Sequence, residues 1–221
     1  LASIRYGIRM KLRDLNIGKI AKQDDGAQRA VEQAREIDFG DKEFYFLNLM
    51  EAHGPYAPPP AYQSTDYTGV PSIDHTLAEG PEEDSDVIRQ AYADSVAYLS
   101  DVYEEIFEEL QANFDIVVTL GDHGELFGTN GVWSHNHGIS PGLVHVPLSI
   151  YTGEQDGRES VEDVVSLLDV HKTIADVANL PVQSRGQNLY DGFEPRDILV
   201  ERFGLRPKRV RQLQKKDIIT K

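Results

Sequence analysis

Hydrophobic and polar residues follow one another in blocks that predict helices and strands in turn. The helical blocks place apolar residues three and four positions apart, with charged residues between them. The strand blocks are short apolar runs rich in aromatic and β-branched residues, which is typical of strands buried on both faces. In chain order the pattern predicts helix 28–36, strand 44–50, helix 84–111, strand 115–120, strand 146–151, helix 161–179 and strand 198–200.

The alternation of strands and helices predicts an α/β fold. Such chains form a mainly parallel central sheet covered by helices on both faces, a three-layer α/β/α sandwich. Ligands of these sheets bind beyond the carboxyl ends of the strands. Two turns that carry histidine follow predicted strands directly: His53 comes after strand 44–50, and Asp122 and His123 come after strand 115–120. We therefore expect these candidate site residues to lie together at one edge of the sheet.

Composition narrows the classes of protein to which the chain can belong. It has 221 residues, no cysteine and a formal net charge of −15. Without cysteine these residues cannot form a disulfide scaffold, a thiolate zinc site or a cysteine nucleophile. The acidity argues against a nucleic-acid partner and suits a high-salt cell, where self-repulsion is screened. No run of about 18 apolar residues occurs, so we expect no membrane span, and a cytoplasmic location is favoured.

Basic residues are concentrated at the C-terminal end. Residues 206–221 contain seven Lys or Arg and a single Asp. A solvated terminal segment is the simplest interpretation, and a contact surface for an anionic substrate or partner is the alternative. We therefore treat 204–221 as a separate basic C-terminal segment.

The tetrapeptide Gly-Asp-His-Gly at positions 121–124 is the first candidate site. A carboxylate oxygen on Asp122 and an imidazole nitrogen on His123 suit a divalent metal, and the flanking glycines allow both side chains to turn to one point. A polar turn with a hydrogen-bonded aspartate explains the same residues equally well. The tetrapeptide alone leaves both interpretations open.

Two further histidines, His135 and His137, stand in the segment Trp-Ser-His-Asn-His-Gly at 133–138. Alternating histidines can ligate zinc, or they can donate hydrogen bonds to an anionic ester. His53 is a weaker candidate when it is taken singly. Three other histidines lack a supporting pattern and are interpreted as structural: His75, His145 and His171.

Taken in order, these motifs resemble the sulfatase family of the alkaline phosphatase superfamily. The resemblance is carried by MEAHGPYAPPPAY at 50–62, IVVTLGDHGELFG at 116–128 and HNHGISPGLVHVPLSIY at 135–151. It covers residues 28–203, which we therefore interpret as the catalytic region of an incomplete alkaline-phosphatase-like fold. Residues 1–27 would be the lead-in of a truncated domain.

The resemblance implies a metal-assisted hydrolase of sulfate esters. Asp122 and His123 would be two ligands of one divalent metal ion, with Ca²⁺ expected first and Mn²⁺ or Zn²⁺ as alternatives. His137 would contact the ester oxygen or protonate the leaving group, and His135 would stabilise charge on the equatorial oxygens. His53 would be a further hydrogen-bond donor to the anionic sulfate or phosphate ester. A metal and such donors neutralise the charge that develops in the transition state.

Two pieces of the family pattern are absent. The sequence lacks a Cys-x-Pro-x-Arg or Ser-x-Pro-x-Arg stretch, so no nucleophile is assigned in this chain, and Asp24-Asp25 is interpreted as a helix start rather than as the family's metal-binding aspartate pair. We therefore expect a piece of a longer enzyme that is inactive alone.

Three alternatives stay open on the sequence. His123, where many members have asparagine, is common in branches that hydrolyse phosphodiesters or phosphonates or transfer phosphoglycerol. A non-catalytic relative that binds anions is the second alternative. A zinc hydrolase of unrelated fold, with zinc on His135 and His137, is the third. The sequence leaves the natural ester and the oligomeric state undetermined.

Overall fold

A computed structural model describes residues 24–67, 69, 80–81, 83–136, 138–153, 160–204 and 207–215. The chain divides into two compact units, one of Leu1–Gly153 with Leu205–Lys221 and one of Glu154–Gly204. In chain order the described elements are α1 (Ala27–Glu36), a 3₁₀ turn (Pro60–Tyr62), α2 (Ser85–Asn113), β1 (Ile116–Leu120), β2 (Phe127–Thr129), β3 (Val132–Trp133), α3 (Pro141–Val144), β4 (Leu148–Thr152), α4 (Leu167–Val177) and α5 (Pro207–Lys215). Within these described ranges no helix is both long and apolar enough to cross a bilayer.

At the start of helix α1, two carboxylates accept hydrogen bonds from the first backbone N–H groups. Asp24 accepts hydrogen bonds from the backbone nitrogens of Gly26 (2.7 Å) and Gln28 (3.1 Å). Glu51, which is buried, accepts from the backbone nitrogen of Ala27 at 3.0 Å. These first N–H groups have no partner inside a helix, so side-chain oxygens stabilise the helix start. The predicted helix and the helix-start interpretation of Asp24 are both confirmed.

Helix α2 carries the main core of the first unit. The 29-residue helix is capped at its start by Asp84, whose side chain accepts from the backbone nitrogen of Asp86. Its apolar stripe packs against the alanine-rich face of α1, which buries both faces and stabilises both helices. The buried members of this cluster are Ala27, Ala30, Val31, Tyr98, Val102, Ile106, Leu110 and Val117. The predicted helix 84–111 is confirmed and extends two residues further.

The described strands form two antiparallel pairs. Strand β1 pairs with β4, and β2 pairs with β3 through a turn at Asn130 and Gly131. Both turn residues have positive φ, 55° and 74°, which is the geometry that Asn-Gly hairpin turns adopt. The predicted strand 146–151 begins later, at Leu148, because Pro147 has no backbone N–H to donate to a ladder.

The parallel central sheet of the predicted sandwich is not confirmed in the part of the chain that the structure describes. Residues 44–50 form no strand: they run past the first core with Tyr45, Leu47 and Leu49 packed against it. On the other side Phe44 and Phe46 are 71% and 74% exposed. A buried strand needs hydrogen-bonding neighbours on its edges, and hydrophobicity alone does not supply them.

The last predicted strand, 198–200, also has no ladder. Leu199 in the middle of this run is 83% exposed, and residues 192–204 carry no regular secondary structure. The apolar run therefore predicted a buried strand, whereas the structure leaves Leu199 exposed and the run without a strand partner. Helices and strands are both present, as an α/β fold requires, but the described sheets are small and antiparallel.

The second unit is organised around Asp169, which is fully buried at the start of α4. Its carboxylate accepts from the backbone nitrogens of Ser166 and Gln187, both at 2.7 Å, and from Arg196 Nη2 at 2.6 Å. Ser166 caps the same helix, so α4 begins at Leu167 and not at the predicted residue 161. Burial alone would raise the pKa of Asp169, but these donors outweigh it and lower the pKa.

We expect Asp169→Asn to lower the free energy of unfolding by about 2–3 kcal/mol, because the charge-assisted bond to Arg196 is lost. Since the folded pKa lies below the unfolded value near 4, the contribution of Asp169 is fully present above that pH. It is lost as the pH falls through the lower folded pKa. The free energy of unfolding of the variant, measured by urea denaturation, should therefore fall less steeply between pH 5 and pH 2 than that of the wild type. The exposed Asp163→Asn is the matched control, and equal acid limbs in both variants would contradict this prediction.

Candidate active site

Three histidine rings from three different loops meet in the first unit. His53 follows the extended residues 44–50, His123 follows β1, and His135 follows β3. The ring centroids of His53 and His135 lie 5.4 Å apart, and those of His123 and His135 lie 4.2 Å apart. His135 therefore stands between the other two, and the structure brings together three of the four histidines that the sequence singled out.

The turn that carries His53 is held by its neighbours on both sides. The His53 backbone nitrogen donates to the Met50 carbonyl oxygen at 3.1 Å, and Tyr56 is buried against Tyr92 at a ring distance of 5.5 Å. The His53 Nδ1 lies 2.7 Å from the Gly54 carbonyl oxygen. A carbonyl oxygen can only accept, so Nδ1 carries the proton in this arrangement.

The loop after β1 is fixed by a close backbone approach. The Gly124 backbone nitrogen donates to the Leu143 carbonyl oxygen at 2.8 Å. A Cβ atom at position 124 would lie only 2.0 Å from the Gly142 carbonyl oxygen, so glycine alone fits there. This contact places His123 and Glu125, on either side of Gly124, toward the other loops of the site.

The pair Asp122 and His123 meets part of the requirement for a metal site. Asp122 Oδ2 lies 3.7 Å from His123 Nε2, a separation that two ligands of one ion can span at about 2.0–2.2 Å each. The His123 Nδ1 donates to the Gly124 carbonyl oxygen at 2.9 Å, which leaves Nε2 as the coordinating nitrogen. The Asp122 side chain is 80% exposed and accessible to an ion.

The pair does not complete a coordination shell by itself. In the described part of the chain no group of three His, Asp or Glu residues is placed to hold an ion. Two donors are at most half of a tetrahedral shell, and a smaller share of the shells that Ca²⁺ prefers. Asp122 and His123 therefore fit as two ligands and leave the remaining positions to other groups.

Glu125 is a site residue that the sequence reasoning missed. Its side chain is 10% exposed, and its Oε2 lies 3.0 Å from His135 Nδ1. The hydrogen bond to Glu125 raises the pKa of His135 above its usual value, although burial of the ring opposes the change. The signal that could have found it is an acidic residue two positions after His123, beside a predicted strand end.

The remaining predicted histidines are placed as follows. His137, predicted to contact the ester oxygen, and His75 lie outside the described residues. His145 follows α3 and His171 lies on α4, and both are exposed. The cluster around His135 thus consists, among the described positions, of His53, His123 and Glu125.

Comparison with known protein families gives one match. The family model described as Sulfatase matches residues 16–180. The matched range includes His53, Asp122, His123 and His135, and it also includes Glu125. No curated protein matches the chain.

We expect Gly124→Ala to lower the free energy of unfolding by about 1–3 kcal/mol, because the new methyl group would overlap the Gly142 carbonyl oxygen. Gly153→Ala is the control, since a Cβ there meets no atom within 4 Å. Urea denaturation of the two variants measures the difference. Equal stability of the two proteins would show that the loop does not depend on this contact.

Proposed function

Because the chain belongs to the Sulfatase family, we propose that it contributes the catalytic region of a metal-dependent hydrolase that cleaves sulfate esters. Family membership supports a hydrolase of this superfamily in general. The observation that carries the finer proposal is the meeting of the His53, His123 and His135 rings, which arrive from three separate loops.

The histidine cluster suits the charge that ester hydrolysis develops. Negative charge spreads over the sulfate oxygens and the leaving oxygen in the transition state, and preoriented N–H donors stabilise it. His123 and His135 use Nδ1 on groups of the protein, the Gly124 carbonyl and Glu125. His123 can therefore present its Nε2 lone pair to a metal ion, and the protonated His135 presents its Nε2–H to the ester. The cluster supplies such groups without the cost of reorganising them for each turnover.

We assign the roles within the cluster as follows. His135 stabilises charge on the equatorial oxygens of the ester, and His53 is a further donor to the same anion. His137, two residues after His135, contacts the ester oxygen or protonates the leaving group. The substrate is an anionic sulfate ester.

A divalent ion is part of the proposal, because members of this family generally use one. Asp122 and His123 would hold it through Oδ2 and Nε2, the two atoms that face each other at 3.7 Å. When bound, the ion supplies Lewis-acid polarisation of the ester oxygen. Carboxylate oxygens favour Ca²⁺, whereas the imidazole nitrogen moves the preference toward Mn²⁺ or Zn²⁺. We propose Ca²⁺ first.

We expect the full-length gene product to hydrolyse 4-nitrophenyl sulfate, and His135→Ala to lower kcat/KM by at least about 100-fold. The loss follows from removing a donor that contacts the developing charge. The exposed His171→Ala is the matched control and should keep the wild-type rate. Release of 4-nitrophenolate, followed by absorbance, measures both.

Bis(4-nitrophenyl) phosphate is assayed in parallel to separate sulfate from phosphate chemistry. Turnover of this diester alone would replace the sulfate ester by the phosphodiester class. Wild-type rates in His135→Ala would refute the assignment of His135, and turnover of neither ester would contradict the proposed hydrolase.

We expect Asp122→Ala to weaken binding of a divalent ion by at least about tenfold, because one ligand is removed. Calorimetric titration with Ca²⁺, Mn²⁺ and Zn²⁺ measures the affinity and identifies the preferred ion. The exposed Asp115→Ala is the control, and His135→Ala should bind the ion normally. Loss of the ion in His135→Ala but not in Asp122→Ala would instead favour a zinc site on His135 and His137.

A further inference from the structure

Glu125 is a nearly buried carboxylate for which the proposed hydrolase has no direct use. It stands two residues after His123 in the loop between β1 and β2, and its Oε2 accepts from His135 Nδ1 at 3.0 Å. The two residues are ten positions apart and belong to different loops. Their bond therefore joins the loop that carries Asp122 and His123 to the loop that carries His135.

Because Glu125 is nearly buried, its hydrogen bond to His135 compensates a charge that is costly to remove from water. Its second oxygen, Oε1, is buried and has no hydrogen-bond partner among the described residues. The hydroxyl of Tyr56 lies near the same carboxylate: burial, and after it the charge of Glu125, raises the pKa of Tyr56. A buried carboxylate is costly unless donors compensate it. His135 Nδ1 donates to this carboxylate at 3.0 Å, and the hydroxyl of Tyr56 interacts with it as well.

The ring of His135 is constrained on several sides. The preceding pair places it in a fixed turn, because Trp133 is buried in the core and Ser134 has a positive φ of 64°. The Ser134 backbone nitrogen donates to the Leu126 carbonyl oxygen at 2.8 Å, next to Glu125 in the chain. The ring of His123 lies against one face at an interplanar angle of 32°. Because Nδ1 donates to Glu125, this bond fixes both the plane of the His135 ring and the tautomer of the neutral ring.

We propose that Glu125 is the positioning residue of this site: by accepting from His135 Nδ1–H it fixes the ring, so that the Nε2–H of the protonated ring is directed at the bound anion. This inference rests on the proposed function, since it assumes that His135 contacts an anionic sulfur or phosphorus ester. A carboxylate can only accept from Nδ1–H, whereas an amide can also donate its NH₂ group to an unprotonated Nδ1. The charge of Glu125 is therefore what selects one tautomer.

The first experiment reads the tautomer directly. Long-range ¹H–¹⁵N spectra of the histidine-labelled 221-residue chain, at a pH where the ring is neutral, report which nitrogen of His135 carries the proton. The His135→Asn spectrum assigns the signal. We expect the Nδ1–H form in the wild type and in the exposed control Glu104→Gln. Glu125→Gln and Glu125→Ala should shift His135 toward the Nε2–H form.

The second experiment measures affinity for inorganic sulfate at a pH where His135 is protonated and at constant ionic strength, with chloride as the competing anion. Loss of the positioning bond should weaken sulfate binding by about tenfold, and Glu104→Gln should bind normally. Glu125→Gln is nearly isosteric, so it decides the question if Glu125→Ala does not fold.

The outcomes separate this inference from the proposed function. If His135 keeps the Nδ1–H form in every folded Glu125 variant, the positioning role is wrong. A tautomer shift without weaker sulfate binding also overturns it. A wild-type chain that binds no sulfate contradicts the anion site of the proposed function, while the spectra still decide whether Glu125 acts on His135.

Discussion

The geometry of the site depends on the close approach of Gly124 to the backbone of Gly142. Only a residue without Cβ allows the loop after β1 to lie against the segment that leads into β4. This contact fixes the residues on both sides of Gly124. His123 is thereby placed against the ring of His135, and Glu125 is placed within hydrogen-bond distance of His135 Nδ1. A one-atom difference at position 124 would displace the candidate ligand and the candidate positioning residue together.

The local charge at the candidate site differs from the net charge of the chain. The protein carries a net charge of −15, yet three imidazoles meet at the point where an anion is proposed to bind. The nearly buried Glu125 favours an anion site here, because its negative charge stabilises the protonated form of His135. Asp169 in the second unit follows the same principle with Arg196 as the partner. In both cases a buried carboxylate is compensated by a cationic or proton-donating side chain from another loop.

Two of the predicted helices match the structure closely, whereas the predicted sheet does not. Helices 28–36 and 84–111 were confirmed within two residues because their hydrogen bonds are local and their apolar stripes repeat every three to four residues. Residues 44–50 and 198–200 are as apolar as strands, but a strand exists only where another strand supplies hydrogen bonds. Hydrophobic runs contain no information about that partner. The pattern of apolar residues did not predict the hairpin at Asn130 and Gly131. Its Asn-Gly pair is the sequence signal that could have indicated it.

The sequence by itself determined the chemistry that is available: adjacent Asp122 and His123 after a strand, separate histidines in two other loops, and the order of motifs that identifies the Sulfatase family. Adjacency along the chain fixes the first pair, and motif order needs no coordinates. The tertiary structure decided which groups meet. The ring contacts of His135 with His53 and His123, and the bond of Glu125 to His135, join residues separated by 10 to 82 positions. Such contacts depend on how loops pack against one another, because no local repeat encodes them.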